Sequence, residues 1–407
     1  MTISSMVPAN PRQQTINIAF LSFIGLGMTS GLLGLAWPSM QKQFSLPLDG
    51  VNTLILVQTI AYTIAGFSIG RIMVRLGSGP TLIIGGLLMT GCMFGIAVSQ
   101  TWLVVIAFGL LYGLGTGVID AALNFYVAAY HSAQQMSWLH ASFGIGVTIG
   151  PLVMTFALAQ KSPVWQLGYL ITGGLLLIVV VLLLVSRKWW RNDGFQHADN
   201  TPVKTETFVA SLRVPAVWLS ILTFFAYVGL EVSIGQWAYT ILTESRKMLP
   251  EVAGPWVSIY WGSFTVGRIL FGVIANRFPV SRILQVCMLV IIGGAVLFFW
   301  NPTNTVGLIG LLILGFAQAP VFPMFMAGTA KRVGPTHAAN AISLQMGGVG
   351  IGTAVMPSLI GTLGKNYGLE VMALVFLVVS IVVFALYEFL RTRPSQAIAV
   401  PSSSAAD

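Results

Sequence analysis

Apolar residues run through this chain in stretches of about 18 or more, recurring from Ile16 to Leu390 and parted by short polar turns. Each stretch is long enough to cross a ~30 Å hydrocarbon core as a helix. Taken in order, they predict twelve spans near 16–38, 50–72, 80–99, 102–127, 137–159 and 165–186, then near 214–242, 253–276, 283–300, 305–329, 339–362 and 368–390. A membrane β-barrel would show alternating segments of about ten residues instead, and none are present. The first stretch follows a weakly charged lead containing Arg12 and reaches Trp37-Pro38 without a small-residue cleavage site, which predicts a retained helix rather than a removed signal.

The pattern also divides the chain. One long polar segment, roughly Arg187 to Arg213, separates two sets of six spans. The expected fold is therefore all-α and integral to the membrane, with twelve transmembrane helices in two pseudo-symmetric six-helix bundles. Its expected parts are a lead 1–15, a first bundle 16–186, a central loop 187–213, a second bundle 214–390 and a tail 391–407.

Composition narrows this further. Hydrophobic residues make up 56% of the 407 positions and charged ones 8%, which excludes a soluble domain. A formal charge of +9 could point to a nucleic-acid partner, but the basic residues sort by loop instead of forming a patch. The side holding the lead, the central loop and the tail carries fifteen of the 20 Lys and Arg; the other holds Lys42, Lys161, Arg246, Lys247 and Lys365. Because basic loops stay inside, the expected location is the cell membrane with both termini cytoplasmic, and no nucleic acid is expected as partner. Cys92 and Cys287 both fall inside apolar runs, which argues against a disulfide framework or a metal site. There is no phosphate-binding loop and no nucleophile with its base, so neither an ATP-driven pump nor an enzyme is expected, and no cofactor.

The two halves echo each other. Gly70, Arg75 and Leu82 recur as Gly272, Arg277 and Leu284 at a constant offset, and Pro151 has a looser counterpart in Pro357. Paired halves are what a carrier with a midplane site and rocking bundles requires. Polar residues within the apolar runs then become informative, since Asp at a helix centre costs about 2.5–3.5 kcal/mol even on the mildest scale and normally marks a solute or proton path. In the fourth span Gly113, Gly117, Asp120 and Asn124 fall on one helical face. His140, one turn into the fifth span, is expected at a similar depth to Asp120 and able to meet it. In the seventh span stands Glu231, followed by Gly235, which could break the helix and turn Trp237 toward a ligand. Gln58 and Tyr62 share a face of the second span, Gln318 precedes Pro320 and Pro323 of the tenth, and Asn340 and Gln345 open the eleventh. Arg268, two turns inside the eighth span, is expected to snorkel outward or pair with an acid.

These residues resemble the major facilitator superfamily. Its loop signature is partly kept as Gly70, Arg75 and Gly77, then as Gly272 and Arg277, with Val74 and Asn276 where an acid is usual. The resemblance implies that this loop latches the halves; without the acids, Arg75 and Arg277 would bond helix C-terminal carbonyls instead. Within the superfamily the chain is similar to the fucose-permease-like branch through Gly113 to Val127, Leu139 to Pro151 and Tyr227 to Leu242, although Gly34 stands where sugar-proton members often have an acid. The implied activity is proton-coupled transport of a small polar, sugar-like solute by a monomer, with proton-driven efflux of drugs or metabolites as the alternative raised by Gly144, Gly146, Gly150 and Pro151.

The sites expected are Asp120 and His140 for proton coupling, and Asn124, Glu231, Trp237, Gln58, Tyr62, Gln318 and Gln345 for substrate. Gly70, Arg75, Gly117, Gly146, Pro151, Arg268, Gly272 and Arg277 are expected to serve gating.

Overall fold

The computed structural model describes residues 11–30, 32–47, 50–160, 164–190 and 205–392. Lys161, the basic residues of the central loop at Arg191 and Lys204, and the tail from Arg393 onward lie outside the described residues. Among the described residues there is no strand, and twelve helical spans are long and apolar enough to cross a membrane. They are Gln14–Gln43, Val51–Leu76, Ser78–Ala97, Trp102–Tyr130, Ala133–Leu158 and Trp165–Val185, then Pro215–Ser245, Val252–Ile274, Val280–Trp300, Asn304–Ala327, Pro335–Tyr367 and Glu370–Thr392.

Within each set of six, spans cross where side chains are small enough to let backbones approach. A Cβ on Gly113 would come within 2.3 Å of the Gln58 carbonyl, and one on Gly117 within 2.7 Å of the Tyr62 carbonyl, so the fourth span lies directly on the second. Gly146 would meet the Ile24 carbonyl at 2.0 Å and Gly150 the Met28 carbonyl at 2.1 Å, which does the same for the fifth span against the first. Close helix approach through small residues is the usual basis of packing where lipid supplies no hydrophobic drive between helices. The fifth span begins with a reciprocal cap: Ser132 Oγ accepts from the Gln135 N–H at 3.3 Å while Gln135 Oε1 accepts from the Ser132 N–H at 3.1 Å. That cap fixes where His140 falls on the helix.

The expected discontinuity at Gly235 is absent, because the helix Pro215–Thr240 runs through it with the Trp261 ring packed against that glycine. The break lies instead in the tenth span, between the helices Asn304–Gln318 and Val321–Ala327. Pro320 and Pro323 remove two backbone donors there, and the Gln318 carbonyl accepts a hydrogen bond from the Tyr227 hydroxyl at 2.6 Å.

The two bundles meet through the second and eleventh spans and through the fifth and eighth. Gly70 donates its N–H to Ser343 Oγ, and Gly66 would place a Cβ 3.1 Å from the Met346 backbone. Gly272 packs against the Trp138 indole, and Asn276 donates to Gln134. All these contacts lie toward the span ends marked by Leu76, Ala133, Ile274 and Pro335, so the bundles are closed together at that end. Part of the central loop reinforces the closure. The short helix Phe208–Leu212 offers its Phe208 ring to Arg71 of the second span at 4.3 Å, and Ser211 accepts from Asn340 of the eleventh at 2.9 Å.

Candidate functional site

Two clusters of polar side chains sit inside the spans, one in each bundle. In the first, Asp120 is half-buried and its two oxygens accept hydrogen bonds from the Tyr62 hydroxyl and from Asn124 Nδ2, the latter at 2.8 Å. Asn124 is fully buried, and its Oδ1 lies 3.1 Å from His140 Nε2. Because the Asn124 amide nitrogen is committed to Asp120, the facing atom is its carbonyl oxygen, and His140 must hold a proton on Nε2 to donate to it. Asp120 and His140 therefore do not meet directly but are joined through Asn124. The imidazole is buried edge-on to Phe23 and Phe322, with ring centroids 5.4 and 4.7 Å away.

Gln58, Thr59, Tyr62 and Thr116 line a cavity of about 270 Å³ that Gly350 and Thr353 of the eleventh span complete, so its wall belongs to both bundles. Gln58 also borders a larger cavity of about 390 Å³ beside Thr29, Ser30, Trp37, Tyr112 and Tyr169. Cavities of about 300–1,000 Å³ with a few hydroxyls and aromatic faces are the ordinary size and lining of small-molecule sites.

In the second cluster Glu231 Oε1 lies 4.0 Å from Arg268 Nη2, both side chains being largely buried. Tyr260 bridges the seventh and tenth spans, donating to Gln318 Oε1 at 2.9 Å and lying 3.3 Å from the Glu231 carbonyl. Glu231 Oε2, Arg268 Nε and Gln318 Nε2 are buried without a hydrogen-bond partner among the described residues. Each such atom costs about 1–3 kcal/mol. Together they form an array of acceptor and donors suited to hydroxyl groups of a bound solute. Arg268 also links the clusters: its Nη1 donates to the His140 carbonyl at 3.2 Å, and its guanidinium lies 4.2 Å above the Phe264 ring.

The remaining expected residues fall apart from this centre. Gln345 is fully buried, with Oε1 accepting from Thr329 at 3.0 Å. Trp237 donates its indole N–H to the Pro357 carbonyl at 2.9 Å and packs on Gly361, which ties the seventh span to the eleventh. Gly70 and Gly272 stand at the crossings between bundles, Gly117 and Gly146 at crossings within the first, and Pro151 inside a fifth span that stays helical. Arg75 and Arg277 are exposed at the closed end. Tyr260 and Thr116 were not anticipated. Tyr260 lies in an apolar run with no nearby acid, so only the packing of separate spans brings it to the site, whereas Thr116 stands one turn before Asp120 and was passed over as an ordinary helix hydroxyl.

The Major Facilitator Superfamily model matches residues 19–344 and again 219–406. The chain belongs to the major facilitator superfamily. Bypass of stop codon protein 6 of Saccharomyces cerevisiae is 23% identical over 390 residues, covering 86% of this chain and 77% of that protein. The glucose/mannose transporter GlcP of Bacillus subtilis is 22% identical over 365 residues, covering 85% and 87%. Among solved structures, the superfamily transporter FucP in its outward conformation superposes with a TM-score of 0.79 at 17% identity, over 92% of this chain and 98% of that one. Another structure names FucP the E. coli fucose:proton symporter. At such identity the likeness carries the fold, and the site must be argued from its own residues.

Proposed function

We propose that this superfamily member moves a small, sugar-like solute across the cytoplasmic membrane by alternating access, coupled to protons. The observation that carries the proposal is the pair of carboxylate clusters, one in each bundle, joined by Arg268. A solute held between them touches both bundles, and a carboxyl that gains and loses a proton as the cavity changes sides supplies the coupling. In this scheme Glu231, Gln318, Gln58 and Tyr62 contact the solute, Asp120 carries the proton, and Asn124 and His140 position it. The names of GlcP and FucP support a sugar over the drug or metabolite efflux that the fifth-span glycines also allow.

The proposed orientation places both termini and the closed end in the cytoplasm, since the basic loops gather there. The described conformation is then closed toward the cytoplasm. Reporter fusions at residue 200 and at the C-terminus should report cytoplasm, and a fusion near Lys161 the outside; a C-terminus outside would overturn this orientation. The function is tested by melting the purified protein against hexoses, pentoses and polyols, then measuring uptake of the stabilising sugar into proteoliposomes. Uphill uptake driven by an imposed proton gradient supports the proposal. Stabilisation only by cationic drugs, with no sugar uptake, would overturn it.

A further inference from the structure

At the closed end a cavity of about 500 Å³ lies between the two bundles. On the side of the first bundle its wall is the turn at His131. The second bundle contributes Ser281 from the first turn of the ninth span, Lys331 and Arg332 after the tenth, and Tyr387 and Arg391 from the end of the twelfth.

Basic side chains dominate this wall. Arg391 pairs with Glu388 at 2.6 Å. Arg332 has no carboxylate partner among the described residues: its guanidinium stacks on Phe325 at 3.8 Å, donates to the Phe325 carbonyl and lies 3.4 Å from the Thr329 hydroxyl. Its Nε is buried with no hydrogen-bond partner among the described residues. Lys331 adds a second, exposed ammonium beside it. The ninth span, Val280–Trp300, opens on this cavity with no side chain capping its first turn, so its positive end belongs to the same wall. A guanidinium, an ammonium, a hydroxyl and an uncapped helix start around one cavity are the groups that bind oxyanions elsewhere.

We propose that this cavity binds a phosphate-bearing ligand, either a soluble phosphomonoester or the headgroup of an anionic lipid, and that occupancy holds the bundles closed at this end. The second part follows from the walls, since a ligand touching both the His131 turn and the Lys331–Arg332 segment must be released before the bundles part. Neither part depends on which solute the central site carries.

The test uses the purified full chain. Its melting temperature is measured in detergent with inorganic phosphate against chloride at matched ionic strength, and in nanodiscs of phosphatidylglycerol against phosphatidylcholine. The expected result is a rise of a few degrees in at least one arm, cut by half or more in Lys331→Gln and in Arg332→Gln. A rise with phosphate in detergent identifies a soluble ligand, and a rise with phosphatidylglycerol alone identifies the lipid headgroup. Should Arg332→Gln fail to fold, Lys331→Gln carries the comparison. No rise in either arm, or a rise that the foldable variants keep in full, overturns the site. For the closure, Ser343→Cys in a background with Cys92 and Cys287 changed to alanine should be alkylated several-fold more slowly with the anion bound. An unchanged rate overturns the clamp.

Discussion

Asp120 receives hydrogen bonds on both carboxylate oxygens from its own bundle, whereas Glu231 faces Arg268 at 4.0 Å and keeps one oxygen without a hydrogen-bond partner among the described residues. The contrast extends to the neighbours. Asn124 is committed to Asp120 and faces His140, while Arg268 and Gln318 each retain a buried nitrogen without a hydrogen-bond partner among the described residues. The donors on Asp120 favour its ionised form, so taking up a proton means giving up at least one of these hydrogen bonds, which ties protonation to a rearrangement of Tyr62 or Asn124. A carboxylate set among groups without hydrogen-bond partners is costly, so a solute hydroxyl that satisfied them would bind favourably. Under the proposed function the two acids therefore do different work, Asp120 carrying the proton and Glu231 contacting the solute.

The change expected to do most harm is Arg268→Gln, because it removes the group that touches both clusters. Stranding a buried partner of this kind costs about 3–5 kcal/mol. Both uptake and exchange should vanish in proteoliposomes, with a lowered melting temperature; wild-type exchange would mean that Arg268 lies off the transport path. Next comes Glu231→Gln, which should weaken sugar binding about tenfold or more, equivalent to about 1.4 kcal/mol. Isothermal titration would read this directly, and unchanged affinity would remove Glu231 from the binding site. Smallest is Tyr62→Phe. Asp120 keeps its bond from Asn124, so exchange should stay within about threefold of wild type while the sugar accumulated at steady state falls, a net hydrogen bond to a charged group being worth about 1.5–3 kcal/mol. A Tyr62→Phe protein that accumulates sugar normally would detach that hydroxyl from coupling.

Much of this architecture is local enough to be visible in the chain itself. Hydropathy alone located all twelve spans, the widest differences being at Gln43 and Tyr367, where helices run on past the expected ends at 38 and 362. The fourth-span stripe was visible for the same reason, since one helix fixes the spacing of Gly113, Gly117, Asp120 and Asn124. Relations between spans were harder. His140 lies one residue deeper from Ala133 than Asn124 lies from Tyr130, so in antiparallel neighbours Asn124 is level with it and Asp120 sits a turn further in. Similar depth left open whether Asp120 and His140 meet, and the offset of one helical turn puts Asn124 between them. The pairing of Arg268 with Glu231 was open because a lone cation can snorkel or pair, and only the crossing of the seventh and eighth spans decides between them. Gly235 looked like a helix break because glycine is a poor helix former, yet packing against Trp261 keeps the helix whole, and the paired prolines of the tenth span break there instead.

The division of labour between the acids is tested most directly by Asp120→Asn in proteoliposomes, with two modes measured on one preparation. The amide keeps the shape of the carboxylate and cannot titrate, so exchange of labelled sugar should persist without dependence on pH, while uphill uptake driven by a proton gradient should be lost. Accumulation against the gradient with normal pH dependence in Asp120→Asn would contradict the assignment of the coupling proton to Asp120.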